Sequence, residues 1–457
     1  MRMSAKFKIL LSIIIVSFLL IISFVIYKYY GINKFSKDDK VKIAILGIDG
    51  AGWNMMQPLI KKNKLPHIQS MMARGAYGYL ETFKPVKSIV VWTSIATGKK
   101  MAKHGIVDWT MFSRPLKQKY LTTGHQRKTK AFWNIISDMD RSVGVVNWWA
   151  TWPPDKVKGF IVSERFSRLT KNPDLIEESD FTYPPQLILE LKSLLRSKKH
   201  IKREMRQQNM LVYSKRNREK AFMPTQNFMS LFATHSYAYL QDKIAKDAAI
   251  YLLSKEQPDF FGIVIRLIDT TSHFSWHLID RSYLKQLYDK SVIRKEELTP
   301  EEITVLDEKF SQVLEPYYIY IDNLIGDFLK VLDEQTIVFI VSDHGFCFEP
   351  FSYRHYWASS PPAGIIIVAG PNISSGITLH GATIYDILPT ALYLSDLPVG
   401  KDMDGKVIIQ AINKRFLKRH PVEYIPTYDT ARSLQPLRKS PIDSEIMKEL
   451  KSLGYIK

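Results

Sequence analysis

The stretch "TIVFIVSDHGF" (Thr336–Phe346) places an apolar, largely β-branched run directly before Asp343 and His344. Such a run is the pattern of a strand buried on both faces of a parallel sheet. Asp343 and His344 both ionise, and burying them unpaired would be costly. The same form occurs twice more. "VKIAILGID" ends on Asp49, and "FFGIVIRLID" ends on Asp269. "GVVNWW" (144–149) and "AGIIIVAGP" (363–371) read as further strands. Helical patterns such as "LPHIQSMMARG" and "YYIYIDNLIGDFLKVLDE" lie between the strands. Alternating strand and helix predicts an α/β fold with a mainly parallel central sheet and helices on both faces.

The flanks set the rest of the organisation. Residues 9–27, "ILLSIIIVSFLLIISFVIY", carry no charge and have the length of a membrane-crossing helix. Arg2, Lys6 and Lys8 precede them, as the positive-inside rule expects of a cytoplasmic N-terminus, although Lys28, Lys34 and Lys37 follow. An uncleaved signal-anchor is the reading adopted, with a cleaved signal peptide the alternative. Residues 1–8 then form a short cytoplasmic end, 28–41 a linker, 42–411 the α/β domain and 412–457 a polar tail. The expected location is the cell membrane, single-pass, with the domain outside the cytoplasm. The net charge of +19 favours anionic partners, and the lone cysteine, Cys347, excludes an intramolecular disulfide. Residues 192–220 hold eleven Lys/Arg against two Glu. They fall in an expected insertion of about 160–240 that could cap the active edge of the sheet. A solvated basic helix explains this charge as well as contact with lipid or an anionic substrate does. No nucleic-acid-binding module is recognisable, and nucleic acid is not expected as a partner.

In open α/β sheets ligands bind beyond the carboxyl ends of the strands. Three aspartates gathered there would repel one another unless a cation intervened. Histidines accompany them: His344 beside Asp343, His273 four residues after Asp269, and His355 before the strand at 363–371. Carboxylate and imidazole are the usual ligands of zinc and similar ions. In "PVKSIVVWTSIATGKK", Ser88 precedes a helical run. A helix N-terminus suits an anionic phosphoryl group, and a metal on the hydroxyl would activate it as a nucleophile. Serine is also a common N-cap, which is the plainer explanation. Lys87, Trp109 and Trp149 are candidate substrate contacts, with a solvated lysine the plainer reading of Lys87. Trp148, Trp149 and Trp152 could equally be core, and His104 reads as structural.

"ILGIDGAGW", "PVKSIVVWTSIATGKKMAKHGI", "DTTSH" and "VSDHGF", in this order, resemble the alkaline phosphatase superfamily, and within it the type I phosphodiesterase/nucleotide pyrophosphatase family. The resemblance covers residues 41–110 and 258–406. It implies an alkaline-phosphatase-like fold and two divalent metal ions, zinc or manganese. Asp49, Ser88, Asp343 and His344 match one metal site, with Ser88 as the nucleophile that forms a covalent phospho-enzyme. Asp269 and His273 match two ligands of the second. His355 is expected as its third ligand, with His380 the alternative. The chain departs from the pyrophosphatase branch at two positions. That branch has threonine at the nucleophile position. It also carries a phosphate-binding asparagine soon after the "HGI" motif, where Trp109 stands here. "SIVVW" lacks the proline and arginine of a sulfatase run. The resemblance implies a phosphodiesterase or pyrophosphatase acting on a phosphate-ester substrate, and the net charge, the anchor and the basic insertion point to a membrane-proximal, anionic one. The alternatives are a phosphomonoesterase or a phospho-group transferase on lipid or glycan head groups, or an inactive binding module of the same fold.

Overall fold

The computed structural model describes residues 41–113, 117–171, 175, 180–195, 201–210, 228–346, 362–430, 438–452 and 455–456. The expected membrane span at 9–27, the site candidate His355 and Cys347 lie outside the described residues. Among the described residues no helix is long and apolar enough to cross a membrane.

Nine strands make one sheet: β1 (Lys42–Ile48), β2 (Gly75–Glu81), β3 (Val143–Val146), β4 (Gly159–Val162), β5 (Thr182–Tyr183), β6 (Phe260–Ile265), β7 (Thr336–Val341), β8 (Gly364–Ala369) and β9 (Ile377–Thr383). Their spatial order is β9-β2-β8-β7-β1-β6-β3-β4-β5. β1 lies between β7 and β6 and is parallel to both, so three of the strands read from sequence are the centre of the sheet. The expectation of a mainly parallel sheet needs one refinement, because the sheet is mixed. β8 runs antiparallel to both of its neighbours, and β5 runs antiparallel to β4. Residues 160–240, expected as an insertion, supply part of β4 and all of β5 to this sheet, then the helix Ile201–Gln207 and the start of a long helix.

The helices that matter here are α1 (Trp53–Lys61), α2 (Pro66–Arg74), α3 (Ser88–Thr97), α4 (Phe132–Asp138), α5 (Phe228–Lys255), α6 (Leu267–Ser275), α7 (Pro300–Val331), α8 (Ile387–Leu394) and α9 (Asp443–Ser452). They form two layers. Phe261 of β6 meets Phe328 of α7, while Gly262, the next residue, faces Phe132 of α4. Successive strand residues point to opposite faces, so α7 and α4 cover opposite sides of the sheet. α7 starts cleanly: Thr299 Oγ1 accepts from Glu302 N (3.3 Å), the Glu302 carboxylate accepts from Thr299 N (2.8 Å), and Pro300 opens the helix. α3, "SIVVWTSIAT", is buried along its whole length, as expected of a helix apolar on every side. That burial fixes its first residue, Ser88, against the sheet.

Candidate active site

The carboxyl ends of β1, β6 and β7 lie side by side, and the chain turns sharply after each. After β1, Asp49 N donates to Ile265 O (2.8 Å), and Asp269 N donates back to Asp49 O (3.1 Å). Gly50 makes this closeness possible. Its φ is +78°, and a Cβ there would lie 2.9 Å from Asp269 Cα. After β7, Ala51 N donates to Ser342 Oγ (2.9 Å) and Gly50 N to Asp343 Oδ1 (3.3 Å), tying the two turns together. Asp269 is not at the strand end itself, as its sequence position suggested. β6 stops at Ile265, the Asp242 carboxylate accepts from Arg266 N (2.8 Å) and Leu267 N (2.7 Å), and α6 begins. Asp269 is therefore in the first turn of a helix, which puts His273 on the same face, Nε2 3.4 Å from Asp269 Oδ1.

These side chains converge. His344 Nε2 lies 3.5 Å from Asp49 Oδ1, 3.4 Å from Asp343 Oδ2 and 3.8 Å from Asp269 Oδ1. One ligand atom from each of Asp49, Asp269 and His344 falls within 4.8 Å of the others. All five groups are buried. Two carboxylate oxygens within 4.8 Å of one another repel by at least about 3.5 kcal/mol at an effective dielectric near 20. The ionisations carry this crowding. Burial first, then the charges of Asp49 and Asp269, push the Asp343 carboxyl well above the usual carboxylate range, with His344 opposing. Burial alone would lower the His344 imidazole, but Asp343, Asp49 and Asp269 together raise it from 6.5 to about 10.

The arrangement fits divalent cations. Asp343 Oδ2 is fully buried and receives no hydrogen bond among the described residues. With the His344 imidazole 3.4 Å away and no hydrogen bond, this oxygen keeps acceptor capacity that a divalent cation would fill. The donor set of oxygens and imidazole nitrogens suits zinc or manganese.

Ser88 is the first residue of α3 and not its cap. Lys87 holds the cap position, without a side-chain hydrogen bond. The Ser88 hydroxyl donates to Asp49 Oδ1 (3.2 Å). The other oxygen of Asp49 accepts from two indoles, Trp92 Nε1 (3.1 Å) and Trp149 Nε1 (3.2 Å). One oxygen is thus held by neutral donors and the other faces the serine. A narrow cleft over these groups is lined by Asp49, Ser88, Trp109, Trp149, Asp269 and Tyr455, among others. Trp109 meets Trp149 edge-on, with ring centroids 4.8 Å apart.

The structure therefore brings Asp49, Ser88, Asp269, His273, Asp343, His344, Trp109 and Trp149 together. It does not bring Lys87 in, because its ammonium pairs with Asp108 Oδ2 at 2.7 Å. His380 is exposed on β9, the outermost strand, with β2, β8 and β7 between it and β1. His104 is a buried structural group. Ile106 N donates to its Nδ1 (3.2 Å), and its Nε2 lies 3.0 Å from Ser94 Oγ. Trp148 donates to Trp92 O and belongs to the core, while Trp152 lies under Arg165. Sequence reasoning missed Trp92, which reads as one more apolar residue of α3. It also missed Tyr455, whose hydroxyl donates to Asp269 Oδ2 (2.7 Å) and lies 3.2 Å from His273 Nε2. Its only signal was the short helical pattern that precedes it.

A family model described as type I phosphodiesterase / nucleotide pyrophosphatase matches residues 43–362, most of the α/β body. No curated protein matches the sequence. Among solved structures, wild-type alkaline phosphatase PafA aligns over 81% of this chain and 98% of that one, at 11% identity and a TM-score of 0.49. Human ectonucleotide pyrophosphatase / phosphodiesterase 5 aligns over 82% and 100%, at 11% identity and a TM-score of 0.45. The 2-O GAG sulfatase BT1596 aligns over 81% and 73%, at 13% identity and a TM-score of 0.47. At these levels the three structures carry nothing about substrate. With four ordered motifs, their residues gathered at one sheet edge, and a family match spanning that edge, the chain belongs to the type I phosphodiesterase / nucleotide pyrophosphatase family.

Proposed function

We propose that this chain is a metal-dependent phosphodiesterase or pyrophosphatase with Ser88 as its nucleophile. It acts at the outer face of a membrane to which residues 9–27 anchor it. The carrying observation is the Ser88 hydroxyl, hydrogen-bonded to Asp49 Oδ1 at the first turn of a buried helix, beside the cluster of Asp269, Asp343 and His344. Asp49, Ser88, Asp343 and His344 would hold one cation. Asp269 and His273 would hold a second, with His355 assigned to it from sequence. Divalent cations in such sites lower the pKa of a bound hydroxyl and offset the charge of a phosphoryl group.

The chain's own residues do the rest. The bond to Asp49 gives the Ser88 hydrogen an acceptor and leaves an oxygen lone pair to attack phosphorus. The start of α3 offers backbone N–H groups and the positive end of a helix dipole to the phosphoryl oxygens. Trp109 and Trp149 wall the cleft, limiting water and giving the ester group an aromatic surface. Trp109 stands where the pyrophosphatase branch has its asparagine, so an indole replaces an amide as the neighbour of the bound group.

The test is nitrophenol release from bis-(4-nitrophenyl) phosphate and 4-nitrophenyl phosphate by the full chain in detergent. Zn²⁺, Mn²⁺ or chelator would be added, to wild type and to Ser88→Ala. Turnover of the diester that needs metal and is lost in the variant is the expected result. Turnover that survives in Ser88→Ala would sink the assignment of the nucleophile.

A further inference from the structure

Three arginines line the clefts next to Ser88: Arg266, Arg168 and Arg165, at 7%, 1% and 2% exposure. Arg266 shares the Ser88 cleft, and its guanidinium stacks on Trp149, Cζ 4.0 Å from the ring centroid. Trp149 is the indole bonded to Asp49, so Arg266 stands one indole away from the cluster. Arg266 Nη2 donates to Asn147 Oδ1 and Glu164 O. Its Nε and Nη1 are buried with no acceptor among the described residues. Arg168 and Arg165 continue this wall into an adjoining cleft that also contains Trp109 and Trp149.

Burying three guanidinium groups is costly unless each finds an anion. The α/β body supplies little. Glu164 approaches Arg165 at 3.8 Å but also accepts from Thr151, and Asp242 accepts from the amides that open α6. The remaining carboxylates come from α9. Arg168 Nη2 donates to Glu449 Oε1 (2.9 Å), and Arg165 Nη1 donates to Asp443 Oδ1 (2.5 Å). Glu449 lines the Ser88 cleft together with Arg266 but leaves two of its donors unfilled. A clamp built only to hold α9 has no use for those donors.

We propose that Arg266 and Arg168 form a subsite for a second anionic group of the substrate. That group is a carboxylate or phosphate carried a few bonds beyond the reacting phosphorus. In its absence Glu449 serves as the carboxylate for Arg168. The proposal rests on the reading of Ser88 as the reacting group and adds the class of substrate: a phosphate ester with a further oxyanion.

Two probes that differ by one carboxylate test it, glycerol 3-phosphate and 3-phosphoglycerate. Their binding to the full chain in detergent is measured by calorimetry with Mn²⁺ present, so no turnover is required. Wild type should bind 3-phosphoglycerate about tenfold more tightly, the worth of one charge-assisted hydrogen bond. Arg266→Gln and Arg168→Gln should bring the ratio toward one, Arg168→Lys should keep part of it, and Glu449→Gln should raise it by freeing Arg168. Thermal unfolding of each variant separates lost folding from lost recognition, because a purely structural arginine would move the melting temperature and not the ratio. A wild-type ratio near one, or a ratio unchanged in Arg266→Gln, overturns the subsite. A failed nitrophenol assay beside a preserved ratio would count against the proposed reaction alone.

Discussion

Replacing Asp343 with asparagine should leave the metal-free protein almost as stable as wild type and remove most of the stability that a metal adds. The Asp343 carboxyl is held well above its ordinary range, first by burial and then by Asp49 and Asp269. A carboxyl held above that range gains little from being charged in the metal-free protein, so losing the charge removes little stability there. An asparagine matches the carboxyl in shape without its charge, and its carbonyl can still accept from Gly50 N. The expected change in metal-free stability is below about 1 kcal/mol, ordinary for a conservative substitution. A cation requires the carboxylate. Changes around metal ligands cost about 10- to 100-fold in affinity, and loss of a direct ligand should reach the upper figure. Metal at a thousand times its dissociation constant stabilises by about 4 kcal/mol, of which a 100-fold weaker site retains about 1.4. About 2.7 kcal/mol should thus disappear from the metal-dependent part. Denaturant unfolding of both proteins, with chelator and with excess Zn²⁺, measures both numbers. A metal-free variant that loses 3 kcal/mol or more would refute the reasoning, because Asp343 would then be a charged partner of His344. Proton linkage gives the sign with pH. Both Asp343 and His344 have folded values above their ordinary 3.8 and 6.5. Their contribution is present below those values and is lost as pH rises, for His344 through about 10. Metal affinity should accordingly rise with pH over the neutral range.

His104 predicts the opposite slope. Burial first, then Arg127, lowers its imidazole from 6.5 to about 3, so its contribution is present above 6.5 and is lost as pH falls. Between pH 6.5 and 4 wild type should lose up to about 1.4 kcal/mol per pH unit relative to His104→Asn, read by denaturant unfolding. Parallel pH profiles for the two proteins would contradict the assignment. Gly47→Ala places a Cβ 2.5 Å from the Trp92 ring. The overpacking should cost about 1–3 kcal/mol and loosen the Trp92–Asp49 bond, lowering both the melting temperature and nitrophenol release. An unchanged melting temperature would show that the ring moves freely.

The centre of the fold was legible because buried parallel strands advertise themselves as apolar runs and because ligand sites gather at their carboxyl ends. Asp49, Asp343 and His344 follow from that pattern, and the four-residue spacing of Asp269 and His273 suits one helix face. Strand direction was not legible. An apolar run such as Ile365–Val368 looks the same whichever way it points, so the antiparallel placement of β8 emerged only from its pairing. Long-range polar partners were hidden for a related reason. Arg165 and Arg168 meet Asp443 and Glu449 across more than 270 positions, and separately each reads as a solvated charge. Arg266 did leave a trace, one charge interrupting the apolar run before Asp269. Adjacency to Ser88 says nothing about the direction of Lys87, and its side chain turns to Asp108, closer to the plainer reading of a lysine away from the site.

The two indoles on Asp49 Oδ2 have an optical consequence. The emission of an excited indole responds to charge near its ring nitrogen, and here that charge belongs to a group expected to meet a cation. Trp92 also touches Trp148, and Trp149 touches Trp109, so excitation absorbed elsewhere in the aromatic cluster can reach the same two rings. Intrinsic fluorescence therefore reports on the state of this carboxylate, and a metal titration can be followed with no label attached.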